Sequence, residues 1–175
     1  MLFSLFQLIF LLFFLFLAIF STILGIYWLF NAIRVGVPQI PTPWWLARHM
    51  ILLAGDLSGK KVVDLGCGTG RILRLARKNG AKQVQGYDFD LLGRVFCAIY
   101  PIPCTKKDFF TADLTNFDVI FTYLFPEIMK RVEKELWEPL PAGKILISHQ
   151  FPLPNIKPDE IWQKGIFKIY KYIKP

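Results

Sequence analysis

The first 30 residues contain no charged side chain, and 25 of them are apolar. The 21 Lys and Arg and the 13 Asp and Glu all fall in the remaining 145 residues, about 23% of them, close to the ~25% of ordinary globular domains. This split excludes one uniform soluble domain, and it excludes a second membrane region further along. Cysteine is scarce: Cys67, Cys97 and Cys104 form no CxxC pair, and with only His49 and His149 beside them they offer no metal-ligand spacing, so no metal is expected. An odd, sparse set fits free thiols in a reducing compartment. Concentrated basic tracts are also missing despite a net charge of +8. Arg71, Arg74, Arg77 and Lys78 recur at helical spacing, and Lys164, Lys168, Lys171 and Lys174 are spread over the C-terminal segment. That distribution describes a solvated or lipid-facing surface, and nucleic acid is not expected as a partner.

Residues 1–30, MLFSLFQLIFLLFFLFLAIFSTILGIYWLF, would reach about 45 Å as a helix, against a hydrocarbon core of about 30 Å. Ser4, Gln7, Ser21 and Thr22 are too few to form the polar stripe of a soluble helix. A basic start, a short apolar stretch and a small-residue cleavage site are all lacking, which argues against a cleaved secretory signal. Tyr27 and Trp28 occupy the place of an interfacial aromatic belt, and Arg34 and Arg48 follow it. The expectation is a single-pass transmembrane helix, with the rest of the chain on the cytoplasmic side of the membrane.

Residues 31–43 hold three of the twelve prolines and are expected to be an extended linker. Beyond it, residues 44–175 leave room for a single domain of ordinary size. Trp44–Leu57 has helical amphipathicity, and Lys61–Gly66 is the continuous apolar run of a strand buried on both faces. Helices are expected at 70–79, 91–99 and 127–137, and strands at 83–88, 104–107, 118–124 and 144–149. Such alternation predicts an α/β fold with a mostly parallel sheet. Residues 165–173 alternate with period two and no helix follows, so they should close the sheet as an antiparallel strand hairpinned to 160–164. No internal repeat is present.

The chemistry-bearing stretch is Val62-Val63-Asp64-Leu65-Gly66-Cys67-Gly68-Thr69-Gly70, a strand running into a glycine-rich turn that opens a helix. Glycines there let backbone approach a ligand, and the helix start supplies free N–H donors. The dinucleotide pattern G-x-G-x-x-G fails because Arg71 holds its sixth position, and the G-K-[ST] ending of a phosphate-binding loop is absent. At the end of the next strand lies Asp88, a carboxylate placed to accept hydrogen bonds from a ribose.

The triplet Gly66-x-Gly68-x-Gly70 preceded by Asp64 resembles motif I of class I S-adenosylmethionine-dependent methyltransferases. The resemblance implies a Rossmann-like methyltransferase fold that binds S-adenosyl-L-methionine, with Asp64, Gly66, Cys67, Gly68, Thr69 and Gly70 in the cofactor turn. It also implies that Asp108 contacts the adenine amino group and that Phe109 lies near its ring. Two more stretches, Val37-Pro38-Gln39-Ile40-Pro41-Thr42-Pro43 and Pro141–Ser148 running on to Phe151-Pro152-Leu153-Pro154, narrow the resemblance. They are similar to the membrane-anchored lysine methyltransferases of the ATP synthase c subunit and the adenine nucleotide translocase, together with their prokaryotic relatives. By that resemblance Thr42 would donate to the cofactor's carboxylate. The eukaryotic members of that family read closer to D-L-G-S-G-D-G where this chain has Cys67 and Thr69, a departure that keeps the glycines.

Tyr123 and Glu127 follow the fourth strand, where methyltransferases present the acceptor, and they are the candidate catalytic pair: Tyr123 as an aromatic wall favouring a developing ammonium, Glu127 as proton acceptor. His149 is a further base candidate. Residues 122–127 lack the Asn/Asp-Pro-Pro-Tyr signature of amide or base amino methylation. The resulting expectation is a membrane-tethered methyltransferase acting on a lysine of a membrane-embedded or membrane-proximal protein. The alternatives are a lipid or isoprenoid acceptor and a non-catalytic cofactor-binding scaffold.

Overall fold

The computed structural model describes residues 2–35 and 40–175, which form two compact units divided after Ile40. In the first, α1 runs from Leu2 to Val35 as one helix. It therefore includes Asn31–Val35, which the sequence reading assigns to an extended linker. The first proline is Pro38, so no missing N–H interrupts the helical ladder before it. Residues 36–39, with Val37, Pro38 and Gln39 of the family-like stretch, lie outside the described residues. Within α1, Ser4–Tyr27 is long and apolar enough to cross a membrane, and none of it is buried within the protein.

The second unit begins with α2 (Trp44–Ala54), entered from Pro43, whose fixed φ suits a helix start. Leu46, Ala47, Met50, Ile51, Leu53 and Ala54 form its buried stripe. It stops three residues short of the expected Leu57 because Gly55 turns to φ 83° and its N–H caps the Leu52 carbonyl. Then come β1 (Lys61–Leu65), α3 (Arg71–Lys78), β2 (Gln83–Tyr87), α4 (Leu91–Ile99), β3 (Cys104–Thr105), a 3₁₀ turn (Phe109–Thr111), β4 (Val119–Thr122) and α5 (Pro126–Arg131). α5 continues as a wider π turn over Val132–Trp137, where buried Glu133 accepts from the Asn155 backbone N–H (2.9 Å) and side-chain amide (2.8 Å). β5 (Ile145–His149), β6 (Glu160–Lys164) and β7 (Phe167–Ile173) complete the chain.

The seven strands order as β3-β2-β1-β4-β5-β7-β6. β1 to β5 are mutually parallel, and β7 runs antiparallel to both β5 and β6, as the period-two pattern required. Alternate residues feed two cores. Val62, Phe121, Ile147 and Ile169 pack with α2 and α3 on one face, while Val63, Ile120, Leu146 and Tyr172 pack with α5 and Trp137 on the other. Five parallel strands thus end along one edge, and β1, β2, β4 and β5 deliver their loops there.

Candidate active site

β1 ends in Gly66, Gly68 and Gly70, all with positive φ (78°, 49° and 70°), a path that side-chain-bearing residues adopt only with strain. A Cβ on Gly68 would meet nothing within 4 Å, so the outer surface of the turn is open to a ligand, whereas one on Gly66 would press Leu124 at 3.3 Å. Gly70 opens α3 from the left-handed region, and the first N–H groups of that helix face the same turn. Asp64 is 5% exposed beneath it. Burial first, then the Asp88 charge and Cys97, holds its carboxyl well above the ordinary range.

Asp88 lies just past β2. Its Oδ2 accepts from the Gly68 N–H at 2.6 Å and its Oδ1 from the Asp90 N–H at 2.8 Å. The carboxylate therefore locks the glycine turn to the β2 end, each oxygen keeping a further acceptor position. Burial, its leading influence, raises the Asp88 pKa. Asp90, two residues on, caps α4 instead, accepting from the Gly93 N–H at 2.5 Å. Asp108 is exposed and caps the 3₁₀ turn through Phe110 N–H at 3.0 Å, with Phe109 half-buried and its ring 4.7 Å from that of Phe110.

Thr42 enters α2 beside α3, and its carbonyl accepts from the Arg71 guanidinium. Sequence reasoning places Arg71 on a solvated or lipid-facing basic surface and gives it no part in the site. The structure lays its guanidinium 4.7 Å from the Trp44 ring, with a buried Nε that has no partner. The signal available for it is its place at the first position of the helix that follows the third glycine. Cys67, Cys97 and Cys104, unrelated in sequence, meet behind the turn: Cys67 Sγ is 3.0 Å from Cys104 Sγ, and all three sulfurs lie within 4.8 Å of one another. The Cys67 side chain occupies the space a Cβ on Gly86 would need.

At the ends of β4 and β5 the Tyr123 and His149 rings pack with centroids 4.0 Å apart, and Phe151 lies 6.4 Å from Tyr123 and 5.5 Å from Phe125. His149 is 2% exposed, with neither ring nitrogen hydrogen-bonded. Burial pushes its pKa down to about 4, which keeps the imidazole neutral at neutral pH. Burial also raises the Tyr123 phenol. Glu127 is not among these rings: its side chain is 82% exposed and pairs with Lys130 at 2.9 Å in the first turn of α5.

A seven-stranded sheet with its last strand reversed, carrying a glycine turn after β1 and an acid after β2, defines a class I methyltransferase fold. The sequence profile of the ANTKMT methyltransferase domain matches residues 64–160, and the chain belongs to that family. It is 28% identical over 148 residues to the adenine nucleotide translocase lysine N-methyltransferase of Mus musculus, covering 80% of this chain and 64% of that protein. It is 28% identical over 134 residues to a protein-lysine N-methyltransferase of Saccharolobus islandicus, covering 71% and 83%. Among solved structures, an RNA methyltransferase from Salinibacter ruber in complex with S-adenosyl-L-homocysteine superposes with a TM-score of 0.71 at 26% identity, covering 78% of this chain and 94% of that one.

Proposed function

We propose that the chain is a membrane-anchored, S-adenosylmethionine-dependent protein-lysine N-methyltransferase acting on a membrane-embedded or membrane-proximal protein. The observation that carries this reading is the pairing of an open glycine turn, clamped by Asp88, with the half-buried aromatic rings of Tyr123, Phe125 and Phe151 two strands away. The names of the mouse and Saccharolobus relatives support lysine as the acceptor. The apolar span Ser4–Tyr27 of α1 supports the anchor, and Arg34 and Arg48 beyond that span support a cytoplasmic domain.

When bound, the cofactor supplies a methyl group on a sulfonium, poised for in-line displacement. Asp88 would hold the ribose hydroxyls, Gly66 to Gly70 the methionine portion, and Asp108 and Phe109 the adenine. The Thr42 hydroxyl and Arg71 would hold the carboxylate. A lysine must arrive as a neutral amine. Tyr123, Phe125 and Phe151 desolvate it, which lowers its pKa and releases its proton to solvent, while buried, neutral His149 packs behind Tyr123 and adds no competing charge. Glu127, exposed at the head of α5, attracts the cationic lysine from solvent. Most of the acceleration then comes from positioning.

The test is to incubate the full chain with native membranes and methyl-labelled cofactor, extract lipid and RNA separately, and map the label by mass spectrometry. Label on a lysine of a membrane protein is the expected result. Label confined to the lipid extract or to RNA overturns the lysine assignment.

A further inference from the structure

α4 buries only Gly93 and Cys97 of its nine residues. Leu91, Leu92, Val95, Phe96 and Ile99 are each between 44% and 63% exposed, a concentration of apolar surface that soluble monomers avoid unless it is used. The helix carries no acid. The carboxylates before it turn inward: Asp90 caps Gly93 N–H, and Asp88 is held by the Gly68 and Asp90 N–H groups. The rim is basic. Arg74 of α3 lies 4.1 Å over the ring of Tyr100, Arg77 donates to the Pro101 carbonyl at 2.8 Å, and Arg94 stands on α4 itself.

We propose that the outer face of α4 is an interfacial helix that rests on an anionic lipid surface. Nine helical residues extend about 13 Å, too short to span a bilayer but suited to lying in its surface with apolar side chains at the acyl boundary. Arg74, Arg77 and Arg94 then sit at the level of the lipid phosphates, the charge complement of an anionic leaflet. A second copy of the chain fits less well, because twofold pairing of this face gathers two sets of three arginines at one seam with no acid on either α4 to offset them. The inference rests on the reading that the chain is membrane-bound. Its consequence is positional: a Cβ on Gly93 would lie 2.7 Å from the Gly68 carbonyl, so α4 packs directly on the glycine turn, and docking holds the cofactor site against the headgroup layer.

The full chain is reconstituted in phosphatidylglycerol-containing and in purely phosphatidylcholine vesicles, with a photo-crosslinking benzoylphenylalanine at Phe96 or, as control, at Ile166, an exposed residue in the β6–β7 turn at the opposite edge of the sheet. Retained cofactor binding confirms the fold of each labelled chain. Lipid adducts at position 96 but not at 166, more abundant in anionic vesicles, are expected. Arg94→Gln should lower the docked-to-undocked ratio about fivefold, the effect of one basic side chain near an anionic surface. A chain that resists carbonate extraction yet gives no lipid adduct at position 96, or equal yields at both positions, overturns the inference and leaves the anchor standing. A chain that neither resists carbonate nor floats with the vesicles overturns both.

Discussion

Asp88 and His149 hold opposite kinds of site chemistry. Asp88 accepts two backbone N–H bonds that shape the turn even without a ligand. Asp88→Ala should therefore weaken S-adenosylmethionine binding by more than about 1.5 kcal/mol, the scale of lost charge-assisted hydrogen bonds; calorimetry showing unchanged affinity would refute the ribose role. His149 instead has no hydrogen bond and a pKa pushed down to about 4 by burial. Below the ordinary value of 6.5 the unfolded chain takes up a proton that the folded chain refuses. Stability should fall as pH drops from 6.5 towards 4, with no His149 contribution above that window. His149→Phe, keeping a ring against Tyr123, should flatten this dependence in urea titrations at about pH 5 and pH 7; an unaltered slope would show that another group titrates.

At the scale of elements, the turn after β1 and the start of α4 are one assembly. Gly93 is glycine because the Gly68 carbonyl lies where its Cβ would be, with Asp90 Oδ2 at 3.0 Å. Gly93→Ala should cost about 1–3 kcal/mol of stability, the range for overpacking, and weaken cofactor binding together with it; loss of stability with intact affinity would separate the two elements. Most elements are legible in the sequence, because buried parallel strands are continuous apolar runs and the helices between them carry period-3.6 stripes. What escapes it are features set by partners distant in sequence. The π turn of α5 surrounds a Glu133 whose partner is Asn155, and three cysteines without any spacing motif converge from the turn after β1, from α4 and from β3. Sequence proximity pairs Glu127 with Tyr123, yet the helix start turns it to Lys130 and leaves His149 as the neighbour of Tyr123.

The whole molecule joins an apolar helix, uncharged as far as Phe30, to a methyltransferase unit. Under the proposed function, tethering confines the search to the membrane plane and raises the effective concentration of a co-resident substrate. The full chain should stay with membranes through alkaline carbonate, and extraction into the supernatant would remove the anchor from the proposed function. The chain spans 64% of the length of its mouse relative, and within it α1 and the outer face of α4 are apolar surfaces open to a membrane or to a substrate.

The sequence by itself determined the sheet, the glycine turn, Asp88 and the apolar N-terminal helix, because each depends on local periodicity, φ freedom or hydropathy within a few residues. Only the tertiary structure decided that Arg71 ties Thr42 to α3, that His149 is buried without partners beside Tyr123, and that α4 leaves its apolar side chains outside. These are matters of which surfaces the sheet order brings together or leaves uncovered, and no local pattern encodes the absence of a neighbour.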